Sequence, residues 1–594
     1  MISARRPRLF FIRSLYVTAL LLLVCTAWLV ITGTQVVRTV GDMARFGSIL
    51  FTVLAPLQLA LMAFFSAFSA AAAVAQEKDR RTLLLLLMTR MGNHELVLGK
   101  LLASLLNVLV MIVAALPLFT ILLLFGGVSI EQVLRVFLVT LAVALASGSV
   151  GSTIALWREK TFQSLALTAL AIILWIGFWE AAYALGSSGL TDREVLRQTA
   201  AACSPVRAIL TAARPDVAQT GAIGILGGIG PFLLIAVGVI LSLNAVAILF
   251  VRRWNPSREV RRQSRDDNQQ REEVAEDEAA RSAHVDSRER QTASEAIATR
   301  HPWDNPVLWR EMCTWAYGRK VVFIRIVYAL LVVATAVLLW GMQSGDAQAA
   351  AEATRTAIPA VAQPLVPFFM VSLVILNALA VTSITGERDG QALDLLLATD
   401  LKPKEIVFGK LLGVMYVAKE TIIAPLIIAM ILWLLGGIST ENYITVTIGL
   451  LVMDLFVAVL GIHTGMTYAN SRSAIGVSLG TVFFLFLGVA TCILMMISFS
   501  GSFQAQLAPF LALILGGGVG LYVSLGAKNP SAAIGLASLL VPFATFYAIT
   551  SFLLQHHLAA FLVTIVAYGF TTAALLIPAI YEFDVEMGRT SGGE

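Results

Sequence analysis

This sequence predicts an all-α polytopic membrane protein made of two parallel six-helix repeats, and three observations carry that prediction. The first is composition. Of 594 residues, 58% are hydrophobic and only 13% charged, with a mean hydropathy of +0.83, whereas soluble domains carry about 25% charged residues. The second is the number of apolar runs that reach the roughly 20 residues needed to cross a bilayer. The third is an internal repeat. Residues 77–102 read EKDRRTLLLLLMTRMGNHELVLGKLL and residues 387–412 read ERDGQALDLLLATDLKPKEIVFGKLL; at a fixed offset of 310, 13 of these 26 positions are identical. An ungapped match of this kind marks two copies of one unit.

Charge and cysteine usage narrow the class further. A net charge of +5 is ordinary for a polytopic protein, whose inner loops collect Lys and Arg, and does not point to nucleic acid. Cys25, Cys203, Cys313 and Cys492 are scattered without CxxC spacing, so neither a disulfide framework nor a metal site follows.

The chain divides into a first unit at 1–251, a charged linker at 252–302 and a second unit at 303–594. Arg5, Arg6, Arg8 and Arg13 precede an apolar run to about Val36. It is too long for a signal peptide and lacks a small-residue cleavage site. It also recurs, since Phe11-Ile12-Arg13 and Tyr16 match Phe323-Ile324-Arg325 and Tyr328. Six spans are expected in the first unit, near 14–36, 49–75, 99–125, 131–156, 162–186 and 221–251. The basic loops at 76–98 and around Arg158 are assigned to the cytoplasm by the positive-inside tendency. The outer loop Gly126-Gly127-Val128-Ser129-Ile130-Glu131 returns as Gly436-Gly437-Ile438-Ser439-Thr440-Glu441.

Residues 252–300 hold 11 basic and 11 acidic residues and read as a solvated linker. His301 to Lys320 mixes tryptophans with charges, the pattern of a short helix lying along the membrane surface. The second unit repeats spans near 321–342, 363–385, 409–435, 443–468, 474–500 and 557–581. It adds apolar runs at 506–526 and 531–553, which either cross, bringing the total from 12 toward 14, or re-enter. Val541-Pro542-Phe543-Ala544 is a weak match to Ser204-Pro205-Val206-Arg207. Even span numbers place both units the same way up and both termini in the cytoplasm, a parallel repeat about an axis along the membrane normal.

No catalytic constellation emerges. GxxxxGK[ST] and HExxH are both absent from the sequence. Among intramembrane ionisable residues Asp454 lies nearest mid-span, and its counterpart 310 positions earlier is Ala144. Such residues are the usual functional suspects, and Asp454 reads first as pairing inside the bundle or lining a polar cavity, with a proton or ion relay as the alternative. Glu180 is expected to reach water at the outer end of its span, and Lys419 and Glu420 to snorkel at the inner end. In the repeated loops, Glu77, Asp79, Glu95, Gly99 and Lys100 match Glu387, Asp389, Glu405, Gly409 and Lys410. An apolar middle between charged ends can rest on the interface and present those ends to a soluble partner. Lys100 and Lys410, at the start of a span, are placed to snorkel toward headgroups.

These residues carry a resemblance. Glu77 followed by Glu95-Leu96-Val97-Leu98-Gly99-Lys100-Leu101-Leu102, and Glu387 followed by Glu405-Ile406-Val407-Phe408-Gly409-Lys410-Leu411-Leu412, resemble the permease subunits of type-2 ATP-binding-cassette (ABC) exporters. Asn305-Pro306-Val307-Leu308-Trp309-Arg310-Glu311 is similar to the interface helix that precedes the first span in bacterial members. The resemblance implies a transport subunit of the bacterial inner membrane, not itself an enzyme. Its repeated loops would form coupling helices for two copies of a separate ATPase, which would carry the ATP and Mg; accessory subunits are left open. The chain departs from the family pattern in fusing two units, in leaving only about 13 residues before its first span, and in adding the segment near 503–540. Two readings stand beside this one: a secondary transporter with parallel repeats, and a membrane scaffold without transport.

Overall fold

The computed structural model describes residues 7–34, 39–80, 82–158, 161–186, 194–214, 228–255, 305–313, 328, 332, 365–389, 392–393, 396, 398–434, 438–498, 510–526, 528, 531–554 and 556–586. In chain order its helices are α1 (Pro7–Thr34), α2 (Val40–Asp79), α3 (Thr82–Met88), α4 (Asn93–Phe125), α5 (Ile130–Trp157) and α6 (Thr161–Gly186). They continue with α7 (Glu194–Cys203), α8 (Pro205–Ala213), α9 (Gly230–Trp254), α10 (Pro306–Cys313), α11 (Leu365–Asp389) and α12 (Pro403–Val417). The last six are α13 (Lys419–Leu434), α14 (Thr440–Thr467), α15 (Ser471–Ser498), α16 (Leu511–Leu525), α17 (Ala532–Leu553) and α18 (His557–Glu586). No strand occurs among the described residues.

Helix is the form these runs must take, because lipid offers no partner to an unpaired backbone group. Ten of the helices are long and apolar enough to cross a membrane, or eleven if α12 and α13 count as one span bent by 55°. Large side chains such as Leu124, Leu234 and Leu249 lie exposed along them, as lipid-facing positions do. The protein is therefore membrane-embedded. The expected span at 321–342 lies outside the described residues apart from Tyr328 and Val332, as does nearly all of the charged linker; α1 lies where the first span is expected, but its apolar part, Arg13–Leu29, is shorter than the ten.

Polar residues set the helix starts. Ser129 begins α5: its backbone N–H donates to Gln132 Oε1 at 2.7 Å and its hydroxyl accepts from the Gln132 N–H, a reciprocal cap. Ser439 opens α14 with one such bond, its hydroxyl accepting from the Asn442 N–H. Before Ser129 the chain reverses at Gly126 and Gly127, whose φ values of 82° and 75° suit glycine alone. Ser204 caps α8, a buried nine-residue helix whose last carbonyl, Ala213 O, accepts from Gln132 Nε2. Pro542, in contrast, lies inside the continuous 22-residue α17. The weak sequence match between 204–207 and 541–544 thus joins a helix start to a helix interior. α17 has the length of a span, while α16 is a shorter 15-residue helix packed beside it.

The most extensive helix contacts are those of α2 with α5 and of α11 with α14. Both are close because a glycine faces the neighbouring backbone. A Cβ on Gly151 would overlap Ala67 O, and one on Gly461 would lie 2.6 Å from Ala380 Cβ and 2.8 Å from Asn377 O. Ala67 and Asn377 are themselves 310 residues apart, so the contact recurs at the repeat offset. Such small-residue crossings are how helices associate where no hydrophobic force separates protein from lipid.

Contacts between the two halves of the chain are reciprocal. α2 meets α15, where the Phe64 and Phe483 rings stack with centroids 4.0 Å apart and planes 5° from parallel. α11 meets α6, with Pro367 against Gly177. Val374 and Val381 of α11 join Ala71 and Val74 of α2 and Leu479 of α15 in one buried cluster.

Gly461→Ala is expected to lower the thermal midpoint in detergent, since overpacking a tight contact costs about 1–3 kcal/mol. Gly449→Ala, on the same helix with nothing within 4 Å of its added Cβ, is expected to leave it unchanged or raise it. Equal effects of the two changes would contradict the crossing described here.

Candidate functional site: two charged locks at the helix ends

The site begins with a lysine at the head of an apolar helix. An ammonium there must be paired or reach water. In the first half Lys100 Nζ donates to Glu77 Oε1 at 2.5 Å, bridging the head of α4 and the end of α2. The Thr82 hydroxyl, at the start of α3, donates to Glu77 Oε2. In the second half Lys410 Nζ donates to Glu387 Oε1 at 2.5 Å, to Glu311 Oε1 at 2.7 Å and to Ser383 O at 3.0 Å. Arg310 of α10 also donates to Glu387 and to Glu311. Lys410 is 1% exposed and Lys100 31%. Lys410 therefore does not snorkel to headgroups: its charge is neutralised inside the protein. Burial pulls the Arg310 guanidinium down, but the Glu387 and Glu311 carboxylates outweigh it and hold Arg310 above its ordinary value.

The other repeated residues act locally. Glu95 Oε2 accepts from Gly92 N–H at 2.9 Å, and Glu405 Oε2 from Lys402 N–H at 3.0 Å. Both carboxylates cap a helix start, where the dipole also favours them. Asp79 closes α2. Asp389 closes α11 and accepts from the Ser471 hydroxyl at 2.6 Å. Gly99 has nothing within 4 Å of an added Cβ, whereas at Gly409 that atom would lie 2.9 Å from Asn305 Oδ1 and 3.0 Å from Val307 Cβ.

A matched pair escaped the sequence reading. Lys78 Nζ donates to Leu156 O at 2.7 Å and Arg158 O at 2.8 Å, satisfying carbonyls at the end of α5. Arg388 donates to Gly465 O, Met466 O and Tyr468 O at the end of α14. Both residues sit 310 apart and differ in type, so an identity count misses them; the shared positive charge was the available signal. Glu311 and Arg310 were likewise invisible as partners of Lys410, lying about 100 residues from it.

Two intramembrane residues also find their places. Asp454 is fully buried on α14; Ser372 Oγ donates to its Oδ1 at 3.2 Å, and its Oδ2 has no hydrogen-bond partner among the described residues. Glu180 does not simply reach water. It accepts from Arg207 at 2.7 Å and 3.0 Å and from Ser204 at 2.5 Å, pinning α8 to α6. Among the described residues no cluster of three or more His, Cys, Asp or Glu could hold a metal ion.

The first lock thus joins α2, α3 and α4, and the second joins α11, α12 and α10. No protein-family model and no curated protein matches the chain.

Lys410→Met leaves the Glu387 and Glu311 carboxylates to share Arg310 and unbalances a buried charge set, and is expected to cost about 3–5 kcal/mol. Lys100→Met breaks a part-exposed pair and is expected to cost about 1 kcal/mol or less. Chemical or thermal unfolding in the same detergent measures both. Equal losses would mean that the two locks are not differently buried.

Proposed function

We propose that this chain is the membrane permease of a bacterial ABC transporter, acting as an exporter, with two permease units fused in one polypeptide. In this reading each half is a six-helix unit, the halves are related by an axis along the membrane normal, and both charged locks face the cytoplasm. The observation that carries the reading is the reciprocal contact of α2 with α15 and of α11 with α6, the pattern of two like units meeting across a twofold axis. The charged locks then stand at matched places beside two loops, each fit to receive one ATPase. In the first loop Leu85 and Met88 of α3 are 64% and 62% exposed, a small apolar face available to such a partner. The Phe64–Phe483 stack lies on the seam where a central pathway would part.

The separate ATPase supplies nucleotide hydrolysis; what this chain's residues do is transmit. Docking on α3 moves the end of α2 through Glu77 and the head of α4 through Lys100. On the other side Glu387 and Lys410 do the same for α11 and α12.

The test is co-purification of the chain with ATPases encoded beside it, followed by ATPase rates in nanodiscs. Leu85→Asp with Met88→Asp is expected to abolish association at the first loop while leaving the melting temperature unchanged. If no ATPase binds the wild type, or the double change leaves both association and rate untouched, the reading fails.

One observation favours the secondary-transporter reading: the buried Asp454, whose second carboxylate oxygen is unpartnered among the described residues. Proton-coupled uptake or release by proteoliposomes that persists without any ATPase, and disappears with Asp454→Asn, would establish it instead.

A further inference from the structure

The crossing of α11 with α14 encloses an acid. Asp454 lies near the middle of the 28-residue α14 and is 0% exposed. Its Oδ1 accepts from the Ser372 hydroxyl of α11 at 3.2 Å, and its Oδ2 has no hydrogen-bond partner among the described residues. Cations on the helices packed against α14 are engaged elsewhere. Lys410 is held by Glu387 and Glu311, Arg388 by carbonyls at the end of α14, and Lys419 lies over the Tyr416 ring. Arg472 is in the first turn of α15, which begins where α14 has ended. The titratable groups nearer by are Tyr328, whose hydroxyl reaches Thr421 O, and Glu420 at the head of α13. On α18, Tyr568 packs on Phe456. His463 stands nine residues further along α14, about 13 Å away by helical rise, with its Nε2 at Leu525 O. None of these brings a positive charge to Asp454.

The setting of the acid is built from three helices. Asn377 Nδ2 of α11 donates to Val457 O, one turn after Asp454, and the Ser478 hydroxyl of α15 donates to Asn377 Oδ1 at 3.0 Å. The first half lacks these groups on α2 and α5. At the repeat offset Asp454, Ser372 and Asn377 correspond to Ala144, Met62 and Ala67. Yet α2 and α5 cross as closely, through Gly151 against Ala67. The crossing therefore closes without an acid, and Asp454 is not there to make it.

We propose that Asp454 is a proton-binding site of the second half. In the arrangement seen the carboxyl group is neutral, with the proton on Oδ2 and with Oδ1 as the carbonyl oxygen that Ser372 reaches. A carboxylate taken out of water without a counter-charge binds a proton instead. A metal cation would need several oxygen ligands around it, and among the described residues Ser372 supplies the single hydroxyl bonded to this carboxyl. An organic cation would need room beside a side chain that is fully enclosed. A proton needs neither. It is drawn from bulk water and returns there when α14 draws away from α11 and water reaches Oδ2. The site depends on neither transport reading, because burial and charge balance alone call for the proton, whatever drives the helices apart.

The test is infrared spectroscopy of the full chain in nanodiscs at neutral pH, where an ordinary aspartate is ionised. A carboxylic-acid C=O band is expected that moves down in D2O and is lost in Asp454→Asn. Ser372→Ala should move the same band up, since Oδ1 loses its donor; this variant keeps the acid and gives an answer even if the Asn variant misfolds. The D2O shift should develop slowly in the wild type. It should develop about tenfold or more faster in Gly461→Ala, which strains the tight crossing, and at the wild-type rate in Gly449→Ala. Three results overturn the proposal. The first is a spectrum with no band that responds to either Asp454→Asn or Ser372→Ala, which means an ionised carboxylate paired with a cation. The second is a band that appears only after sodium and potassium are withdrawn, which assigns the site to a metal cation. The third is exchange at one rate in the wild type and both glycine variants, which uncouples the proton from the crossing. Binding of an ATPase, or its failure, changes none of these outcomes, so the proton site and the permease reading stand or fall separately.

Discussion

A lysine ammonium at the head of a membrane helix must be neutralised, and the rest of the charged end depends on how that is done. Glu77 and Glu387 supply the carboxylates from the preceding long helix, which fixes the distance between the end of one helix and the start of the next. Lys78 and Arg388, one residue further on, cap the ends of α5 and α14. Adjacent residues of one turn therefore tie three helices together. The need for a partner explains why Glu77 and Lys100 recur together as Glu387 and Lys410 at the repeat offset.

Further into the bundle, van der Waals contact takes over from charge. Gly151 and Gly461 bring α5 against α2 and α14 against α11, and each long helix then turns its other face to the opposite half. The stack of Phe64 on Phe483 and the cluster around Val374 and Val381 form this seam. It is held by rings and aliphatic groups without a buried ion pair among the described residues.

The second half carries the departures from symmetry. Asp454 replaces Ala144, α10 covers the lock, and the helix continuous in α4 is bent by 55° between α12 and α13. Pro425 in α13 can give no N–H to Thr421 O, and the Tyr328 hydroxyl donates to that carbonyl instead at 3.4 Å.

The sequence by itself determined the membrane class, most helix positions and the two repeated charged segments, because hydrophobic length and ungapped repetition are local, one-dimensional properties. It also placed Glu77, Lys100, Glu387 and Lys410 at matching points. Tertiary structure alone decided what those residues do. That Glu95 and Glu405 cap helices, that Lys410 is buried while Lys100 is half open, that Glu180 pairs with Arg207, and that Arg310 and Glu311 complete only one lock all depend on side chains far apart in the chain. A charge shows its type in sequence, but its partner and its burial exist only once the helices have packed.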